Sequence, residues 1–174
     1  MFTGIVQGVG RIRSVEPQGG DVTMWIATGD VSLAGVEIGG SIAVNGCCLT
    51  AVQLEPHAFA ADLSRETLSR TTLGGWLAGS KVNLELSLKL GDELGGHLVY
   101  GDVDGLGIVR SVMADGDSRR IRIEVADGLA KFLAEKGSIC VDGVSLTVSG
   151  VGRDSAGQHG ADWFEVAIIP HTLS

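Results

Sequence analysis

Ser41, Cys48 and Thr50 lie within one short stretch, and Glu66 and Thr67 follow it. Hydroxyls both donate and accept hydrogen bonds, a carboxylate accepts, and a thiol becomes a nucleophile when ionised. Together they make a polar set for holding a ligand. The set recurs. Ser138 matches Ser41, Ser145 matches Cys48, Thr147 matches Thr50, and His171 and Thr172 match Glu66 and Thr67. Two copies mean two similar pockets and a function that uses the pair. Each residue also has an ordinary structural reading: a β-former at Thr50, a solvated turn at Glu66, an inert buried thiol at Cys48.

The recurrence belongs to a longer one. Residues 1–53 fall on 98–150 without a gap, with 17 of 53 pairs identical. That is roughly four times the level of unrelated chains of ordinary composition. Gly4 to Gly10 lies on Gly101 to Gly107, Arg13-Ser14-Val15 on Arg110-Ser111-Val112, and Gly40 to Thr50 on Gly137 to Thr147. A 97-residue period is too long for a solenoid unit, so whole domains are duplicated, 1–96 and 97–174. The 174 residues suit two domains of about 90, each with a modest core.

A net charge of −8 with no run of Lys or Arg argues against nucleic acid and anionic membranes as partners. Three cysteines, Cys47, Cys48 and Cys140, make an odd count with one adjacent pair, which suits a reducing compartment. They have no zinc spacing. No apolar run nears the roughly 18 residues of a membrane span, and the repeat begins at Met1 with no signal peptide before it. The expected location is the cytoplasm.

Short Val- and Ile-rich segments must position these residues: Ile5-Val6, Val22–Ile26, Ser41–Val44, Leu49–Val52, Ala58–Ala61 and Val82–Leu86. Turns fall at Gln18-Gly19-Gly20, Asn45-Gly46, Glu55-Pro56-His57 and Gly74-Gly75. Asn45-Gly46 and Asp142-Gly143 are the strongest hairpin signals, because a type I′ turn needs positive φ at both central residues. The pattern predicts an all-β chain of small antiparallel barrels with short helices. Gly128–Ala134 is the best helix candidate and Val31–Val36 a weaker one. Ser64 caps a helical turn through Leu68. Lys89–Gly96 reads as linker, and Gly150–Gly160 as a polar surface loop with eight residues more than the first copy has. The second copy ends early, short of the last strand by about 20 residues when laid on the first.

Met1-Phe2-Thr3-Gly4-Ile5-Val6, Val44 to Thr50, Arg65-Glu66-Thr67-Leu68, Gly95 to Val99 and Asp142 to Thr147 together resemble riboflavin synthase of the alpha-subunit type. The resemblance covers essentially the whole chain. It implies two tandem six-stranded Greek-key barrels that bind lumazine, the second lacking its last strand and the C-terminal helix. It implies a dismutation in which two 6,7-dimethyl-8-ribityllumazine molecules yield riboflavin and 5-amino-6-ribitylamino-uracil, without cofactor or metal. The substrates would meet between the N-terminal barrel of one chain and the C-terminal barrel of its neighbour in a homotrimer. A chain stopping short could instead be a monomer. Association with lumazine synthase is a further expected partnership.

The resemblance also implies residue roles. Cys48, Ser41, Asp102, Ser145 and Asp142 fall on catalytic positions. In the first copy Gly4-Ile5-Val6 would approach the pteridine edge, where glycine admits close backbone contact. Leu49, Thr50, Asp62, Leu63, Ser64, Arg65, Glu66 and Thr67 would also contact the ligand, Glu66 as an acceptor for ribityl hydroxyls. In the second copy the corresponding sets are Gly101, Asp102 and Val103, Lys136, Leu146 and Thr147, and Ile169, Pro170, His171 and Thr172. The copies differ at Cys48/Ser145, Asn45/Asp142, Gly39/Lys136 and Glu66/His171. Such asymmetry suits one donor and one acceptor pocket.

One position departs from the family. Its Gly-His-Val-Asp run reads Gly101-Asp102-Val103-Asp104 here. Imidazole shuttles protons near neutrality, whereas a carboxylate is ordinarily ionised there. The second reading is therefore a catalytically silent lumazine or flavin binder, similar to the antenna proteins of luminous bacteria. Retention of Cys48, Ser41, Glu66, Thr67, Ser145 and Thr147 favours the enzyme. A flavin-reductase barrel is excluded for lack of a nucleotide-binding glycine motif.

Overall fold

The computed structural model describes residues 1–126, 128–154 and 161–173. It forms two compact units, one of Met1–Val103 with Cys140–Ser145, the other of Asp104–Ile139 with Leu146–Ser174.

In the first unit β1 (Gly8–Gln18), β2 (Asp21–Ala27), β3 (Ser41–Val44), β4 (Cys47–Glu55), β5 (Ala58–Leu63) and β6 (Lys81–Leu86) close a barrel in the order β1-β2-β5-β4-β3-β6. All its pairings are antiparallel. Alternation turns Ile12, Met24, Ile26, Ile42, Val44, Leu49, Leu63 and Leu84 inward, where they pack around Phe59. Each such side chain contributes roughly 1.5–3 kcal/mol on burial. The β3–β4 hairpin turns on Asn45 (φ 46°) and Gly46 (φ 79°), as the sequence predicts. Ser64 caps α1 (Arg65–Arg70), its Oγ accepting from Thr67 N at 3.2 Å.

Two expectations in this unit are corrected. Ile5-Val6 is not strand: β1 starts at Gly8, and Met1 stands outside any strand while Phe2 makes a lone bridge to Val99. Gly4 at φ 74° cannot continue a β-strand. Val31–Val36 is not helix. Gly35 at φ 81° breaks it, and Val31, Leu33 and Val36 pack individually on the barrel core.

β7 (Gly107–Asp115), β8 (Ser118–Val125), β9 (Ser138–Val141), β10 (Val144–Arg153) and β11 (Asp162–Ile168) make a second sheet ordered β7-β8-β11-β10-β9, which lies in the second unit except for its Cys140–Ser145 stretch. This repeats the order of the first five barrel strands, and no counterpart of β6 occurs among the described residues. Even the bulges repeat, between Ile12 and Ser14 and between Val109 and Ser111, then between Ala51 and Gln53 and between Val148 and Gly150. The helix expected over 128–134 is only a 3-10 turn at Ala130–Phe132, since Gly128 has φ 96° and Leu133 is already extended. A second short helix, α2, spans Pro170–Leu173. Of the expected 150–160 insertion, β10 runs to Arg153 and residues 155–160 lie outside the described ones. No helix among the described residues is long and apolar enough to cross a membrane.

Candidate functional site

Within the first unit two equivalent segments exchange partners. Gly4 O accepts from Ser145 N at 2.7 Å, and Gly101 O accepts from Cys48 N at 2.9 Å. Gly4 matches Gly101 and Cys48 matches Ser145, so one interaction occurs twice, with the copies crossed. Phe2 and Val99, also equivalents, donate to each other's carbonyls at 2.7 and 2.9 Å. The glycines of the two hairpin tips meet as well: a Cβ on Gly46 would lie 2.8 Å from Gly143 N, and one on Gly143 2.9 Å from Gly46 N. Asn83 ties the tips together, its Nδ2 donating to Asp142 O at 2.9 Å and its backbone N to Asn45 Oδ1 at 2.7 Å. These pairs define a local two-fold relation between the matched residues.

Cys48 and Ser145 stand at corresponding points of that arrangement. Cys48 is half-buried and, like Cys140, packs against the buried Phe2, Ala43 and Val99. Ser41 lies in register with Thr50 across β3 and β4, and its carbonyl takes the Ser87 hydroxyl at 2.8 Å. Cys47 points into the barrel core, where burial pushes its thiol up to about 11. Burial also pushes Cys140 up to about 11, against a lowering bond from the Gly143 backbone. Both thiols therefore stay protonated at neutral pH.

Ser145 Oγ lies 2.7 Å from His97 Nδ1. His97 N donates to Thr3 O at 3.0 Å, and burial lowers the imidazole pKa, keeping the ring neutral at pH 7. A neutral imidazole against a hydroxyl can take up a proton and, once protonated, return it. Sequence reasoning left His97 unassigned, because its spacing from Asp102 says nothing about which hydroxyl it faces. Its trace in the sequence is Gly96, where a Cβ would lie 2.1 Å from Thr3 O and 2.9 Å from Ser145 Cβ.

The other expected residues fall into separate groups. Asp102 is exposed beside this site, and Val103 packs on the barrel core. Asp142 is on a hairpin tip with an open outer edge and a partly desolvated carboxyl, which raises its pKa. Leu49 and Leu63 are buried core residues, whereas Thr50 is exposed and Val6 half-buried. Asp62 accepts from Thr23 Oγ1 at 2.6 Å, Arg65 donates to Gly19 O at 3.1 Å, and Glu66 pairs with Arg70 at 3.2 Å. These last residues cluster at the β5–α1 corner. In the second unit Lys136 is exposed at φ 65°, its N donating to Val148 O. Leu146 is half-buried, Thr147 exposed, and Ile169–Thr172 form the exposed start of α2. An open cavity of about 480 Å³, walled by Thr3, Ile5, Gln7, Glu85 and Ser87 among others, lies along the Thr3–Gln7 segment.

The barrel with its repeat and the twinned site define a tandem lumazine-binding protein: the family described as the lumazine binding domain matches residues 3–87 and again 100–174. The chain is 42% identical over 173 residues to the riboflavin synthase of Photobacterium phosphoreum, covering 99% of this chain and 76% of that protein. It is 44% identical over 173 residues to that of Mycobacterium bovis, covering 99% and 83%. Among solved structures, LumP complexed with 6,7-dimethyl-8-(1'-D-ribityl) lumazine superposes with a TM-score of 0.80 at 25% identity, covering 99% of this chain and 88% of the other. The chain belongs to the riboflavin synthase family.

Proposed function

We propose that the chain catalyses riboflavin formation by dismutation of two 6,7-dimethyl-8-ribityllumazine molecules. The observation that carries this reading is the crossed pair of Cys48 and Ser145, chemically different groups at matched points of a duplicated scaffold. One lumazine gives up a four-carbon unit and the other gains it, so atoms and electrons balance without an oxidant. The losing molecule leaves as 5-amino-6-ribitylamino-uracil. Cys48, with Ser41, faces one lumazine, where a polarisable thiol stabilises or adds to the electrophilic ring. Ser145, backed by His97, faces the other and handles its proton. Asp102 and Asp142 border the same region. The repeats 1–96 and 97–174 act as the two ligand barrels, and the reacting pair forms between the N-terminal barrel of one chain and the C-terminal barrel of the next in a trimer. Holding both rings face to face makes a bimolecular step effectively unimolecular.

Mixing the chain with the lumazine is expected to yield one riboflavin for each two lumazines consumed, read by absorbance and chromatography. A silent binder is the second reading, favoured by the likeness to LumP, also solved with flavin mononucleotide at a TM-score of 0.82. Fluorescence titration showing binding without riboflavin would establish it. A flat titration would end both readings.

His97, part of the Gly95 to Val99 motif shared with the family, supplies one imidazole at the site, and Asp102 stands where the family has a second. Asp102→His is therefore expected to preserve or raise kcat. Loss of activity in that variant, from an active wild type, would show the exposed carboxylate to be required.

A further inference from the structure

We infer that Glu85 is a positioning residue for the His97–Ser145 pair. Strand alternation puts Val82, Leu84 and Leu86 towards the barrel core and Lys81, Asn83 and Glu85 on the outer face of β6. An outward glutamate is ordinarily solvated, yet Glu85 is only 4% exposed. The segment Thr3-Gly4 covers it. No cation pairs with it among the described residues. Burying an unpaired carboxylate is costly unless several donors compensate it.

The donors all come from two consecutive residues. Oε1 accepts from Thr3 N at 2.6 Å and Thr3 Oγ1 at 2.6 Å, and Oε2 accepts from Gly4 N at 3.0 Å. Charge-assisted bonds of this length are among the stronger ones in proteins. They fix a dipeptide whose two carbonyls hold the two members of the pair. Thr3 O accepts from His97 N, and Gly4 O accepts from Ser145 N. The loop then closes through His97 Nδ1 and Ser145 Oγ at 2.7 Å. One carboxylate thus sets where both backbones stand, and hence the short contact between their side chains. Glutamine cannot reproduce this, because its NH₂ would face one of the three donors.

The inference rests on the proposed role of His97 and Ser145 in turnover, so the experiment includes a readout without turnover. In Glu85→Gln, the ¹⁵N histidine spectrum of the ligand-free protein should show the His97 Nδ1 resonance moved towards that of an unbonded ring. Turnover should fall at least about tenfold, with the riboflavin Kd within about threefold of wild type. Glu85→Gln placed in His97→Ala should add no further loss. Thr3→Val removes one donor and keeps the carboxylate. It should show the same changes in smaller measure, and it stands in if Glu85→Gln does not fold. An unchanged His97 resonance in Thr3→Val and Glu85→Gln would overturn the inference. So would a riboflavin Kd weakened tenfold with the resonance unmoved, which would make Glu85 a direct ligand contact. A wild type that binds lumazine but makes no riboflavin sinks the synthase reading alone, and the spectrum still decides the role of Glu85.

Discussion

Gly101→Ala is expected to lose about 2–5 kcal/mol of stability and most of the activity. Gly101 sits at φ 90°, where an L side chain is strained by roughly 1–2 kcal/mol. A Cβ there would lie 2.5 Å from Cys48 Cβ, 3.0 Å from Phe2 Cε2 and 3.1 Å from Cys48 N. The neighbours are a buried ring and a backbone amide, neither of which yields easily. Overpacking of this kind adds about 1–3 kcal/mol. A domain with roughly 5–15 kcal/mol to lose would be left near its limit. Cys48, pushed off its bond to Gly101 O, would also leave its place in the site. Gly19→Ala is the control. Gly19 has φ 61° but nothing within 4 Å of the added Cβ, so it carries the backbone strain alone. Urea unfolding of both variants reads the difference. Equal losses would show that the close approach at Gly101 is not what demands glycine.

The features legible in the sequence are those that one residue's own backbone preference decides. Asn45-Gly46 and Asp142-Gly143 announce their turns because few residues accept positive φ twice in succession. Ser64 announces α1 because its hydroxyl has a free amide to take three residues on. The order of the second sheet follows from the first through the repeat. What stays hidden depends on contacts made far along the chain. Ile5-Val6 reads as strand, but Gly4 turns away to reach Ser145, and nothing near Gly4 in sequence says so. Gly128–Ala134 has helical composition, yet the turn closes at Phe132. The bulges at Arg13 and Arg110 leave no compositional trace. In the site, the repeat tells which residues are alike, Cys48 with Ser145 and Gly4 with Gly101. It does not tell that each glycine serves the other copy's residue. Nor does alternation on β6, which puts Glu85 outward as found, foresee that Thr3 and Gly4 will cover it.

His97→Ala and Ser145→Ala are each expected to cut kcat by about 10²-fold or more, the usual scale for a proton-transfer group. Their effects should not multiply. Removing either leaves the other without its 2.7 Å partner, so the double variant should turn over about as slowly as the worse single. Multiplying losses would show that the two act separately. The pH profile gives a second check. Burial lowers the His97 pKa, so the neutral ring persists below the ordinary histidine value. The acid limb of kcat/KM should therefore fall below about 6.5, and it should vanish in His97→Ala. The same shift carries a stability sign. The fold favours the neutral ring, so this contribution is present above the ordinary pKa and is lost as pH falls through the lowered one. The acid limb of activity and this part of the stability loss should thus appear together, and both should be missing from His97→Ala. An acid limb at or above 6.5, unchanged by His97→Ala, would assign the titration to another group and remove His97 from the chemistry.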